Sequence, residues 1–287
     1  MRKWKIMLIF FTILTIGGLF ILRANTVPTI SFFPLDEKSF IDEANTSLTL
    51  ESVTGSDSYN IGWSINSSSD KSMYLRQDVS LLFDNGILRG VRSKWVQNTD
   101  QIHMDETVAS EDSSHFQSIS FHHGENHYGG EDIKSVQAMT YDELYVIDSP
   151  TTPIKAFKQP VTPFESEWKE LLDRSSKQQL LFQWHLLIQY FQINPENYRA
   201  IPLVDLYKYN NKPLPNMSQQ ETDVLIGRLW EGIYKSYVIP ASESSENQLE
   251  SYIPLILIDK QNTHLYVLFE LNGGREQLIQ RIPEIKN

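Results

Sequence analysis

Residues 74–96, YLRQDVSLLFDNGILRGVRSKWV, carry the clearest structural signal in the chain. Leu75, Val79, Leu81 and Phe83 before Asp84-Asn85-Gly86, and Ile87, Val91 and Trp95 after it, all fall on odd positions. Period two marks half-buried strands, and Asn-Gly between two such runs marks a hairpin, because both residues tolerate the positive φ of a tight turn. A three-residue loop, with Gly86 left-handed as a bulge, sets Phe83 against Ile87, Val79 against Val91 and Leu75 against Trp95. A two-residue Asn85-Gly86 loop sets Val79 against Arg92 and Leu81 against Gly90. Three apolar cross-strand pairs favour the first register.

Working outward, residues 48–53 and 60–66 read as strands, with a turn at 67–70. Residues 97–114 are polar and acidic and predict a long loop. A strand follows at 116–121, then a turn bearing Gly124, Gly129 and Gly130, then apolar runs at 135–139 and 144–147. Residues 48–147 are therefore expected to form a β-rich, mostly antiparallel domain. Pro150, Pro153, Pro160 and Pro163 then interrupt residues 148–162, which reads as an extended connection and a domain boundary.

Beyond it the period becomes 3.6. Residues 164–173 and 177–193 predict two helices, or one interrupted at Ser175-Ser176. The second is apolar on two sides and is expected to be central. Ser218-Gln219-Gln220-Glu221 has the pattern of a capping box, opening a helix to about residue 237 that Pro240 closes. Residues 253–258, 264–271 and 277–282 complete the expected α+β domain, 163–287, as a three-stranded meander.

The chain begins differently. Residues 6–22, IMLIFFTILTIGGLFIL, hold no charge and are flanked by Arg2, Lys3, Lys5 and Arg23. At about 1.5 Å per residue a helix of this length, with snorkelling flanks, approaches the ~30 Å hydrocarbon thickness of a membrane. The expected fold is thus a transmembrane helix within residues 1–23, a β-rich half, and a helix-rich half ending in the meander. Three bases before the run and an acidic pair, Asp36 and Glu37, after it predict a cytoplasmic N-terminus and an extracytoplasmic body. A signal peptide cleaved near Ala24 is the alternative, but the run is longer than such segments and Arg23 sits beside the cut. Residues 24–47 join anchor to body, and Ile30, Phe32, Phe33, Leu35, Phe40 and Ile41 make this tether apolar enough to dock on it.

The chain carries 36 acidic against 25 basic residues; four of the bases precede residue 24, so 36 face 21 beyond it. Such a surface repels nucleic acid. The absence of cysteine excludes disulfides, thiolate metal sites and a cysteine nucleophile. Composition and layout together point to a bacterial envelope protein, with a Gram-positive source favoured.

The chemistry-bearing residues are sparse. His115, His122, His123 and His127 cluster around Glu125, but alternation along a strand sends His122 to the face opposite His115 and His123. Only His123 and His127, placed across a turn at Gly124, meet as metal-ligand candidates, with His103 or Glu131 as a third ligand. Gly62-Trp63-Ser64-Ile65-Asn66 and Ser68-x-x-Lys71 resemble nucleophile motifs only in part. Pairs such as Asp142 with Glu143, or Glu165 with Glu167, read as solvated faces. No cofactor is expected. The first functional expectation is a non-catalytic membrane protein that binds a protein partner near the outer leaflet. The alternatives are a hydrolase working from residues 121–128, or a small-molecule sensing module.

Overall fold

The computed structural model describes residues 29–54, 58–150, 152–243 and 251–282. The apolar run 6–22, expected to cross a membrane, and the alternative cleavage position at Ala24 lie outside them. No helix among the described residues is long and apolar enough to cross a membrane.

The hairpin forms, and it extends far beyond its apolar centre. Strands β2 (Ser58–Asp84) and β3 (Ile87–Ser110) make one antiparallel ribbon, so the loop expected at 97–114 is mostly strand. The turn is the two-residue Asn85-Gly86, with φ of 50° and 85°, placing Asp84 opposite Ile87 and Phe83 opposite Leu88. One extra residue, Arg89, then bulges, so Leu82 faces Gly90, Leu81 faces Val91 and Val79 faces Ser93. Neither expected register survives the bulge, which shifts pairing by one residue and sharpens the local twist. Gly90 beside it lets the Trp63 ring lie on the backbone, where an added Cβ would sit 3.0 Å from the ring.

Strands β1 (Ile41–Thr54) and β4 (Ser114–His127) use the same edge of β2 in succession, β1 along residues 58–69 and β4 along 75–84. Between these the ribbon loses register, from Ser68 to Met73. Strands β5 (Ile133–Ser149) and β6 (Thr152–Phe157) follow β4 in order. Strand β1 meets β5 without a ladder: Thr46 Oγ1 lies 2.5 Å from Thr140 Oγ1, and Leu48 N–H donates to Asp142 Oδ2 at 2.7 Å. The sheet is barrel-like and nearly closed, and β1 and β5 are its seam.

The molecule is mostly β, 53% strand and 26% helical, which overturns the expected α+β division with a helix-rich half. Residues 163–287 hold α1 (Pro163–Tyr190), α2 (Gln219–Ile233) and the short α3 (Ile239–Glu243). They also hold a four-stranded sheet of β7 (Tyr198–Pro202), β8 (Leu255–Asp259), β9 (His264–Leu271) and β10 (Gly274–Arg281). Helix α1 runs unbroken through Ser175-Ser176. It is capped by a box of Thr162 and Glu165, and α2 by the box of Ser218 and Glu221. The second half of α1 is not central: Leu181, Phe182 and Tyr190 are exposed.

One apolar core joins Val79, Leu81, Phe83 and Phe121 of the first sheet to Leu180, Leu229, Trp230, Ile256 and Phe269. A second, with Leu48, Ile61, Trp63, Leu82, Phe116 and Leu144, fills one end of the barrel. The hairpin tip reaches across: Gly86 C=O accepts from Ile253 N–H at 2.9 Å, and Leu88 N–H donates to Ser251 C=O at 2.7 Å. Residues 29–41 form a strap along the same core. Ile30 is fully buried in it, Phe32 lies on Gly227, and Ser135 exchanges backbone bonds with Pro34 and Asp36.

Candidate functional site

Strand β4 continues through Gly124 to His127, so the turn expected there falls at residues 128–132 instead. This separates His123 from His127 by four strand residues, about 13 Å. Alternation holds for the rest, and each histidine enters a different environment. His127 lies at the strand end, its Nε2 3.5 Å from Glu125 and its ring stacked on Tyr74. His103 pairs with Asn66 and Asp105 on the exposed ribbon, and Glu131 sits in the turn. Among the described residues no three His, Asp or Glu side chains converge as a metal site.

His123 is fully buried beneath the strap, its Nε2 3.2 Å from Ser135 Oγ and its Nδ1 without a partner among the described residues. Burial first, then the positive charge of Arg76, pushes its pKa down to about 4. It is a neutral imidazole in a core.

His122 points into the barrel. Its Nδ1 lies 2.8 Å from Asp78 Oδ2 and its Nε2 2.8 Å from Thr140 Oγ1. Ser67 donates to Asp78 at 2.6 Å, and Arg76 donates to Ser67 and Ser69. From Thr140 the network continues through Thr46, Ser120, Ser80 and Ser118 to the Trp63 indole N–H. The order Asp-His-Thr resembles a nucleophile relay in connectivity alone. Asp78, Arg76 and His122 are all fully buried, and the Thr140 hydroxyl is held by Thr46. The arrangement is a polar spine that fixes which strands close the barrel.

A second polar cluster lies on the outer face of β4 and β5, beneath α1. His115 places Nε2 3.1 Å from Glu143 Oε2 and Nδ1 3.4 Å from Asp173 Oδ1, and stacks on Tyr145 with ring centroids 4.1 Å apart. Tyr145 donates to Asp173 at 2.8 Å, and Lys169 bonds both. Burial opposes ionisation of Glu143, but the bond and charge of His115 outweigh it and hold the carboxyl below its usual value. Glu143 and Asp142 therefore part company: Asp142 turns to the seam, where it accepts from Leu48 N–H and Lys158. Glu165 is likewise separated from Glu167 by its role in the helix cap. Residues 115, 143, 145, 169 and 173 share no sequence pattern, because strand pairing and a helix docked from far along the chain bring them together.

An accessible concavity lies at the mouth of the seam. A cleft of about 430 Å³ is lined by Asp36 and Ile41 from the strap, by Ser135–Met139 of β5, and by Asn210, Asn211, Asp223 and Ile226. A neighbouring cleft of about 780 Å³ lies between the strap and α2 and shares Leu35, Asp36 and Asp223 with the first. Asp36 is fully engaged, accepting from Asn126, Tyr128 and Lys38 N–H. Burial works against its charge, but these bonds prevail and lower its pKa. Asp223 differs: its carboxylate accepts, among the described residues, only from Gln219 at 2.7 Å, while its backbone C=O accepts from Gln137 Nε2 at 2.7 Å, and burial raises its pKa. It has no ion-pair partner among the described residues. Sequence reasoning missed this cleft because its walls come from five separate segments and none carries a motif.

No protein-family model and no curated protein matches the chain. Two solved glycosyl hydrolase family 2 members from Bacteroides cellulosilyticus are similar over 41% of this chain, at 10% and 9% identity and a TM-score of 0.26. The similar region spans only 16% and 17% of their own lengths, and at that TM-score the likeness transfers neither architecture nor activity.

Proposed function

We propose that this chain is a single-pass, membrane-anchored extracytoplasmic protein of a bacterial envelope, which binds a protein partner close to the outer leaflet and does no chemistry itself. The observation that supports this is the strap. Ile30 is locked in the core and Phe33 N–H donates to Ser135 Oγ at 2.9 Å, so only residues 23–29 separate the apolar run from the body. Seven residues reach at most about 25 Å. A body held that closely works at the membrane face, and the exposed Leu171, Leu181, Phe182 and Tyr190 of α1 offer it apolar contact area.

The test is crosslinking in native membranes followed by purification of the tagged full chain. A stoichiometric partner protein is expected, together with an N-terminal tag shielded from external protease while the body is cleaved. Recovery of a lone monomer, or a body protected from outside, would overturn the reading.

A further inference from the structure

We propose that the cleft at the mouth of the seam receives an extended segment of the partner protein, which adds to the free edge of β5 at Gln137 and Met139 and sets a basic side chain against Asp223. This rests on the partner-binding reading above and names the site.

Five consecutive residues of β5, Ser135–Met139, line the cleft. A sheet face exposes every second residue, whereas an edge exposes all of them, so the cleft runs along the strand edge. Ser135 gives both its backbone groups outward, to Pro34 C=O and Asp36 N–H. With period two, Gln137 and Met139 point their backbone groups the same way. Met139 C=O is taken by Asn210 Nδ2 at 2.7 Å. The N–H and C=O of Gln137 and the N–H of Met139 have no partner among the described residues. The strap pairs with β5 at Ser135 in parallel and then departs, leaving the ladder begun but unfinished.

The occupant follows from the lining. A half-buried carboxylate with one neutral donor, Asp223, stands on the wall shared by both clefts. Beside it lie Phe121, Met139 and Ile226. An edge-added strand presents alternate side chains to one wall, so an extended peptide alternating apolar and basic residues matches backbone, charge and surface together. Burial that raises the Asp223 pKa is relieved when a cation pairs with it.

The test uses the full chain in detergent and three capped heptapeptides: one alternating valine and lysine, its glutamate counterpart, and the lysine peptide N-methylated at its central residue. The lysine peptide is expected to bind at least tenfold more tightly than either of the others. Asp223→Asn should weaken it about tenfold. Gln137→Pro removes the outward N–H from an edge position together with the side-chain bond to Asp223 C=O and should abolish binding, whereas Gln137→Ala loses that side-chain bond alone and should retain it. The urea midpoint of each variant is measured to show that it still folds. Equal binding of the lysine and glutamate peptides, indifference to N-methylation, or indifference to Asp223→Asn would each overturn the proposal. If Asp223→Asn co-purifies undiminished partner from membranes, the partner-binding reading stands and this assignment of its site falls.

Discussion

Replacing Asp78 by Asn leaves the Arg76 guanidinium stranded inside the barrel. Both side chains are fully buried, with Arg76 Nη2 3.8 Å from Asp78 Oδ1, and burial already pulls the Arg76 pKa down while Asp78 and Asp100 pull it up. Breaking one side of such a pair leaves an uncompensated buried charge, at about 3–5 kcal/mol, whereas removing both sides is far less harmful. Asp78→Asn and Arg76→Met are each expected to lose about that much. Against a total stability of roughly 5–15 kcal/mol and a urea slope near 3 kcal/mol/M, the midpoint should fall by roughly 1–2 M. The double variant should be at least ~2 kcal/mol more stable than the sum of the two losses. Equilibrium urea unfolding of all four proteins supplies the cycle. Losses that add within about 0.5 kcal/mol would show that the spine is a set of independent contacts and refute its role in closing the barrel.

Ile30→Ala is expected to cost about 2–5 kcal/mol, because its side chain is fully enclosed by the shared core; an unchanged urea midpoint would show that the strap does not hold the body. His123 is neutral in the fold down to about pH 4, while the unfolded chain protonates near 6.5, so stability should fall by roughly 3 kcal/mol as pH drops between those values. His123→Gln should flatten that window in midpoint-against-pH measurements. Glu165 is held down to about 2 by Lys155, with help from the backbone N–H groups of Val161 and Thr162. Its contribution is complete above about pH 4.5 and lost as pH falls toward 2, and Glu165→Gln should remove that lower step alone. Gly86→Ala should destabilise by at least about 1 kcal/mol, since φ there is 85° and an added Cβ would lie 3.0 Å from Leu180; an unaffected midpoint would contradict the docked tip.

Local chemistry that depends on neighbours in sequence was legible. Asn85-Gly86 announces its turn through two residues suited to positive φ, and Ser218 with Glu221 announces a helix start. The bulge at Arg89 has no such signature, so the register could not be read past it. The far half of β3 looked like a loop because its outward residues, Gln101, His103, Asp105 and Thr107, are polar. Its inward residues, Ile102, Met104 and Val108, do alternate, and the period was there to be found. Helix α1 misled in the opposite direction, since two apolar stripes predict burial on both sides while Leu181 and Phe182 face solvent. The parity of the histidines was correct, but no spacing foretells that His115 meets Asp173 or that His122 meets Asp78. Those meetings are made by tertiary pairing across 58 and 44 residues, respectively.

The bonds from Gly86 and Leu88 to residues 251–253 have a consequence in time. At about 5–20 residues per second of synthesis, the hairpin tip emerges roughly 10–30 s before the residues that cover it, and Ile30 waits longer still for Trp230. During that interval the first sheet holds Val79, Leu81, Phe83 and Phe121 without Ile256 and Phe269, which complete the core over them. The newborn chain is therefore at its most adhesive when it is nearly complete, and truncations ahead of residue 251 should aggregate rather than fold as smaller domains.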